Sequence, residues 1–233
     1  MPTLYLIPTV LAEETAEQVL PTQVREVIGH TDVFFAEDIR TARRFISSLK
    51  LGKVIDDLTF YELSKDTPEA ETRQQLQTVL EQNRNAGVMS EAGCPGVADP
   101  GAVVVGFAHR LGIKVVPLVG PSSILLALMA SGMSGQSFVF HGYLPIDRQD
   151  RGRTLRHLEK EARQRQQTQI FMETPYRNNQ LLSDILTNCQ PDSRLCIACN
   201  LTAPDALVRT LTIREWKAAQ PDLHKKPTVF LLL

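Results

Sequence analysis

Short apolar runs recur along this chain with helix-patterned stretches between them, and that alternation restricts the possible folds more than any other feature. Residues 4–7, 33–36, 87–89 and 113–118 read as strands, while 16–27, 41–51, 69–83 and 102–111 carry helical periodicity. Such alternation predicts a mostly parallel sheet covered by helices on both faces. Pro21 falls inside the first helical stretch, so that helix is expected to break or begin there. A second α/β set follows Gly120, with helices expected at 124–130, 154–166 and 178–186 and strands at 138–140, 169–172, 195–199, 207–212 and 228–232. The polar residues 146–152 read as an exposed loop. The fold class is therefore α/β with two domains, 1–119 and 120–233, each a mixed or mostly parallel sheet flanked by helices.

The turns between these elements are rich in glycine. Ser90-Glu91-Ala92-Gly93-Cys94-Pro95-Gly96-Val97-Ala98-Asp99-Pro100-Gly101 follows one strand, and Gly120-Pro121-Ser122-Ser123 follows the next. Small residues let backbone N–H and C=O groups approach a ligand closely, and in open α/β sheets ligands bind at the carboxyl ends of strands. The usual nucleotide fingerprints are missing: no lysine completes a phosphate loop, and no G-x-G-x-x-G opens a helix after the first strand.

Six blocks in order resemble the tetrapyrrole methylase superfamily, and more narrowly its family of small-subunit ribosomal RNA ribose methyltransferases. The long turn is similar to S-D-A-G-T-P-x-x-S-D-P-G. Ala36-Glu37-Asp38-Ile39-Arg40-Thr41 resembles A-E-D-T-R, and Val119-Gly120-Pro121-Ser122-Ser123 resembles P-G-P-S-A. Phe140-His141-Gly142-Tyr143-Leu144-Pro145 resembles F-x-G-F-L-P, Phe171-Met172-Glu173-Thr174-Pro175-Tyr176-Arg177 resembles F-Y-E-S-P-H-R, and Ala198-Cys199-Asn200-Leu201-Thr202 resembles A-R-E-L-T. The resemblance implies two α/β domains whose facing edges form a cleft for S-adenosylmethionine, usually in a homodimer. It also implies transfer of a methyl group to the 2′-hydroxyl of a ribose, a cytidine's, in ribosomal RNA or the small ribosomal subunit.

Carried over position by position, the resemblance places Pro8, Ser90, Glu91, Cys94, Ser122, Ser123, Met172 and Leu201 at the cofactor. On the acceptor side stand Glu37, as orienting group or weak base, and Arg40, Arg43, Arg44 and Arg177 as substrate contacts. Each has a plainer reading that stays open: helix capping for Ser122 and Asp99, core packing for Met172 and Leu201, ion pairing for Glu37 and Arg177. The loop Pro8-Thr9-Val10-Leu11-Ala12-Glu13-Glu14 departs from the family's T-P-I-G-N-L, and the G-x-G-P-G-D signature of corrin and siroheme methylases is absent too. The latter argues against a tetrapyrrole acceptor, although a methylase of a tetrapyrrole or other small molecule stays open as the alternative, and the former motivates a second one, a ribosome-binding relative without catalysis. The sequence closes on Thr228-Val229-Phe230-Leu231-Leu232-Leu233, without the extra helical segment that many relatives carry.

Composition enters as a set of exclusions. No apolar stretch approaches the roughly 20 residues a bilayer span needs, and no basic flank of a signal peptide opens the chain, so no membrane and a cytoplasmic location are expected. Four cysteines, at 94, 189, 196 and 199, are too few and irregular for a disulfide framework. Cys196 and Cys199 have metal-ligand spacing, but three residues apart on a strand they point to opposite faces, so no metal is expected. The formal net charge is −1, yet residues 148–167 hold seven arginines and lysines against three acids. That segment is either a solvated helix face or an RNA contact.

Overall fold

A computed structural model describes residues 2–64 and 66–233, and the chain divides into two compact units between Ser122 and Ser123. The first unit runs β1 (Thr3–Ile7), α1 (Ala16–Val19), α2 (Thr22–Gly29), β2 (Val33–Ala36), α3 (Ile39–Ser48), a single 3-10 turn (Ile55–Asp57), β3 (Thr59–Glu62), α4 (Glu69–Glu81), β4 (Ala86–Met89), α5 (Gly101–Arg110) and β5 (Lys114–Pro117). Its sheet has the order β3-β2-β4-β1-β5 with every pairing parallel. Pro21 does separate two helices, standing with extended backbone just before α2.

The central strands β2 and β4 are buried at every position, and successive side chains feed opposite cores, as the strand period of two demands. Phe34 packs with Ile7, Val24, Ile28 and Ile46 on one face, while Phe35 packs with Leu4, Leu76, Val79 and Val104 on the other. The strand β3 escapes the periodicity argument. It is a four-residue edge strand, half exposed, and it is fixed by its neighbour: Phe60 stacks on Phe34 and Tyr61 tilts against Phe35, with ring centroids 5.5 and 5.2 Å apart.

The second unit comprises α6 (Ser123–Ser131), β6 (Phe138–Tyr143), α7 (Arg148–Arg165), β7 (Thr168–Met172), α8 (Asn178–Asn188), β8 (Arg194–Cys199), β9 (Leu207–Thr212), α9 (Ile213–Ala218) and β10 (Thr228–Leu232). Its sheet, β6-β7-β10-β8-β9, is mixed: only β6 and β7 run parallel. Cys196 and Cys199 sit in different clusters on the two faces of β8.

Two expectations are corrected in this unit. Most of the stretch 146–152 is helix and not loop, because Asp147 caps α7 by accepting the N–H groups of Gln149 and Asp150, both at 2.9 Å. Arg151, read as exposed, is 2% accessible and bonds the equally buried Asp184 through Nε and Nη2 at 2.9 and 2.5 Å. Its Nη1 donates to the carbonyls of Pro145 and Ile146, so one side chain ties α7, α8 and the preceding loop. The short helix α9 also lies outside the expected elements. It begins with a reciprocal capping box between Thr212 and Glu215 and buries Trp216, whose Nε1 donates to the Leu195 carbonyl at 2.8 Å.

Candidate active site

Because every strand of the first sheet runs the same way, the segments that follow β1, β2, β4 and β5 emerge at one edge. Residues distant in sequence meet there. The Thr9 N–H donates to the Gly93 carbonyl at 2.9 Å and its hydroxyl to the Ser90 carbonyl at 3.4 Å. The Glu37 N–H donates to the Met89 carbonyl, and the Cys94 thiol lies 3.4 Å from the Pro121 carbonyl. Gly120 lets the fourth segment close against the first: a Cβ there would stand 2.3 Å from the Pro8 ring. The divergent loop after β1 is thus bound to the glycine turn despite lacking the family's glycine and asparagine.

The long turn is shaped by its own side chains. Gly93 and Gly96 adopt φ of +80° and +82°, a region that glycine enters without strain. Asp99 Oδ1 accepts the N–H groups of Gly96 and Gly101, both at 2.7 Å, and folds the segment back before α5. The Ser90 hydroxyl is spent inside the turn, donating towards the Ala92 and Gly93 carbonyls at 3.4 and 3.3 Å. Among the described residues, Asp99 Oδ2 is buried with no partner. In the sequence Asp99 reads only as a helix start; its further signal is the spacing to two glycines whose amides it gathers.

The electrostatics of this edge are acidic. Burial, with Glu91 and Asp99 close by, raises the Glu37 carboxyl above the ordinary glutamate value, although the Glu91 backbone N–H partly opposes the shift. Burial also raises Asp99, against the two amides it accepts, and raises the Cys94 thiol. Asp38 differs: it caps α3 by accepting the Thr41 N–H at 2.6 Å, and that bond lowers its carboxyl. Arg40 and Arg44 are exposed on α3. Arg43 is engaged elsewhere, paired with Asp56 and lying over the Phe60 ring at 5.8 Å.

In the second unit, Ser123 opens α6, with Ser122 immediately before it. Met172 ends β7 and is followed by Glu173, 5% exposed, which accepts Arg177 Nη2 and the Thr174 N–H, both at 2.6 Å. Burial opposes charge on Glu173, but the bonds from Arg177 and Thr174 outweigh it and lower its carboxyl. The ion-pair reading of Arg177 thus has a defined partner, four residues away. Leu201 packs half-buried against the cluster of Ile170, Ala198 and Val229, in a turn where Asn200 and Thr202 both have positive φ. The Thr202 hydroxyl is buried with no partner among the described residues.

The glycine turn of the first unit suits a ligand held mainly by backbone. A Cβ at Gly101 would meet Asp99 Oδ1 and the Gly96 nitrogen at 2.8 Å, so the turn tolerates only glycine there. Asp99 Oδ2 remains as an acceptor for a ligand's donors. S-adenosylmethionine, with an ammonium, ribose hydroxyls and a sulfonium, supplies donors and positive charge that match an acidic, acceptor-rich edge.

The family model described as Tetrapyrrole (Corrin/Porphyrin) Methylases matches residues 17–217. A protein of Vibrio cholerae named Ribosomal RNA small subunit methyltransferase I is 30% identical over the whole chain and is spanned to 77% of its own length. Proteins of the same name from Haemophilus influenzae and Bacillus subtilis are 29% and 30% identical over 98% and 77% of the chain, which spans 77% and 57% of them. Among solved structures, the methyltransferase CobJ superposes with a TM-score of 0.66 at 16% identity, covering 100% of this chain and 94% of its own. Uroporphyrin-III-C-methyltransferase from Thermus thermophilus superposes with 0.57 at 16% identity, covering 99% and 91%. These two establish a shared fold. The chain is an S-adenosylmethionine-dependent methyltransferase, and it belongs to the tetrapyrrole (corrin/porphyrin) methylase family.

Proposed function

We propose that this protein methylates the 2′-hydroxyl of a ribose in small-subunit ribosomal RNA. One observation carries the chemistry: Glu37, directly after β2 and beside the glycine turn, holds a carboxyl raised by burial and by its neighbours Glu91 and Asp99. Relatives across the chain's full length carry a name that supplies the acceptor class.

Bound S-adenosylmethionine supplies a methyl group activated by a positively charged sulfur. The protein's task is then alignment and exclusion of water, which rigid backbone achieves better than flexible side chains. Pro8, Ser90, Glu91, Cys94, Ser122, Ser123, Met172 and Leu201 form the cofactor's contacts in this reading. Glu37 accepts a hydrogen bond from the ribose hydroxyl, fixes its oxygen, and would take its proton late in the transfer. A raised carboxyl is a stronger base than an ordinary glutamate, which suits an acceptor of very high pKa. Arg40 and Arg44 meet RNA phosphates from α3, and Arg177 aligns the acceptor from its pairing with Glu173. The protein acts in the cytoplasm as a homodimer; among the described residues no helix is long and apolar enough to cross a membrane.

The test is methyl transfer from labelled S-adenosylmethionine to small subunits and to their naked RNA, followed by alkaline hydrolysis. A 2′-O-methyl group blocks cleavage at the adjoining phosphodiester, so label is expected in an alkali-resistant dinucleotide. Label released as a mononucleotide would place the methyl on a base and overturn the reading.

A further inference from the structure

The helix α7 carries a charge pattern that the proposed chemistry does not use. At 3.6 residues per turn, Arg148, Arg153, Arg156, Lys160 and Arg163 fall within an arc of about 140°. Two acids of the helix, the exposed Asp150 and the half-buried Glu161, fall outside it. Glu159 falls inside the arc but is 6% exposed, accepting the Gln190 N–H at 2.7 Å and the Ser193 hydroxyl. Its charge is turned mostly into the protein, with Arg163 at 3.9 Å as its partner on the stripe, and the cations keep exposed faces. Arg148 and Arg153 are 72% and 70% exposed.

The stripe borders an open groove between α7 and α8. Arg148, Arg153 and Arg156 line it together with Gln149, Thr187 and Asn188. Gly152 brings the helices together, since a Cβ there would stand 2.8 Å from Asn188 Oδ1, and Asn188 in turn accepts from Arg156. Facing acids are already committed: Asp184 to the buried Arg151 and to Arg148 at 3.1 Å, Asp150 to Arg153, and Asp192, near the far end, to Arg214 at 2.8 Å. With a rise of 1.5 Å per residue, the five cations are spread over about 22 Å. In a protein of net charge −1, a rigid row of this length with the Gln149 amide beside it matches a phosphodiester backbone better than any single anion.

We propose that the α7 stripe is the docking surface for the RNA backbone, separate from the residues that perform methyl transfer. This rests on RNA being the acceptor. Charge complementarity commits it to nucleic acid, read by phosphates and not by base sequence.

The experiment compares the wild-type protein with the triple variant Arg153→Gln, Arg156→Gln, Lys160→Gln, and with a control triple, Lys50→Gln, Arg73→Gln, Lys217→Gln. Thermal melts and calorimetric titration with S-adenosylmethionine first verify that folding and the cofactor site are intact. RNA affinity of the stripe variant is expected to fall about 10- to 100-fold across unrelated sequences. The slope of log affinity against log salt should flatten by about 2, since each phosphate that a removed cation had neutralised accounts for about 0.7. KM for RNA should rise while kcat stays unchanged, and the control should behave as wild type. Wild-type affinity and slope in the stripe variant would overturn the inference while leaving methylation of RNA standing. Loss confined to assembled subunits, with naked RNA unaffected, would assign the stripe to a ribosomal protein and overturn it equally. A wild type that methylates no ribosomal RNA would instead remove the reading on which the inference rests.

Discussion

Glu37 and Glu173 occupy the same place in two different sheets, each the first residue beyond a strand's carboxyl end, and their chemistry diverges completely. Glu173 is 5% exposed, yet Arg177 and the Thr174 N–H hold it ionised. Glu37 is less covered from solvent, but burial without a cationic partner, together with the neighbouring Glu91, Asp99 and Asp38, disfavours its charge. The lesson is that burial alone does not make a carboxylate reactive. A satisfied carboxylate in a closed turn is structure, and a frustrated one at an open sheet edge is available for work.

The largest expected effect is on catalysis. Glu37→Gln keeps the shape and removes the base, so single-turnover methyl transfer should slow by about 10²- to 10⁴-fold. Calorimetry should show S-adenosylmethionine affinity within about twofold of wild type. Unchanged turnover would reduce Glu37 to a bystander and end its contrast with Glu173.

Next comes the packing that assembles the open edge. In Gly120→Ala the new methyl would lie 2.3 Å from the Pro8 ring, which cannot swing aside as a flexible chain end would. A loss of about 1–3 kcal/mol is expected, read by denaturant melts, together with weakened cofactor binding as the segments after β1 and β5 separate. Full stability with intact cofactor affinity would show that this contact does not organise the site.

The closed turn is tested by Glu173→Gln. Arg177 would lose its charged partner, but with 36% of that side chain exposed, water recovers part of the loss. A cost of about 1–2 kcal/mol follows. Because Arg177 aligns the acceptor from this pairing, the variant should lose melting temperature together with kcat/KM for RNA; an unchanged kcat/KM would leave the pair a structural tie alone.

Much of this contrast lies beyond what a sequence displays. The first sheet is legible because buried parallel strands such as Val33–Ala36 read as unbroken apolar runs, and the glycine turn is legible because residues such as Gly93 and Gly96 mark positive φ. The edge strand Thr59–Glu62 is not, since its order comes from Phe34 and Phe35 across the sheet. The start of α7 is hidden for a similar reason. Arg151 looks like a surface residue until Asp184, far along the chain, closes on it. Positions of the site residues follow local motifs, whereas the state of each charge depends on partners that only folding brings together.

The smallest effect is also the one that separates the two glutamates by sign. Glu37 has a folded-state pKa above its unfolded value, so the stability its carboxyl contributes is present below the unfolded pKa and is lost as pH rises through the folded one. Glu173 has a lowered folded-state pKa, so its contribution is present above the unfolded value and is lost as pH falls through the folded one. At pH 7, Glu37→Gln should therefore melt slightly above wild type, by less than about 1 kcal/mol after screening, and Glu173→Gln should melt below it. Both differences should shrink on acidification, that of Glu37 in the range above the ordinary glutamate pKa and that of Glu173 below it. Melts of the two variants at pH 7 and at steps down to mild acid read this directly. Shifts of equal sign would mean that the carboxylates near Glu37 do not burden it, and the acidic edge would lose its physical claim to the proton of the acceptor.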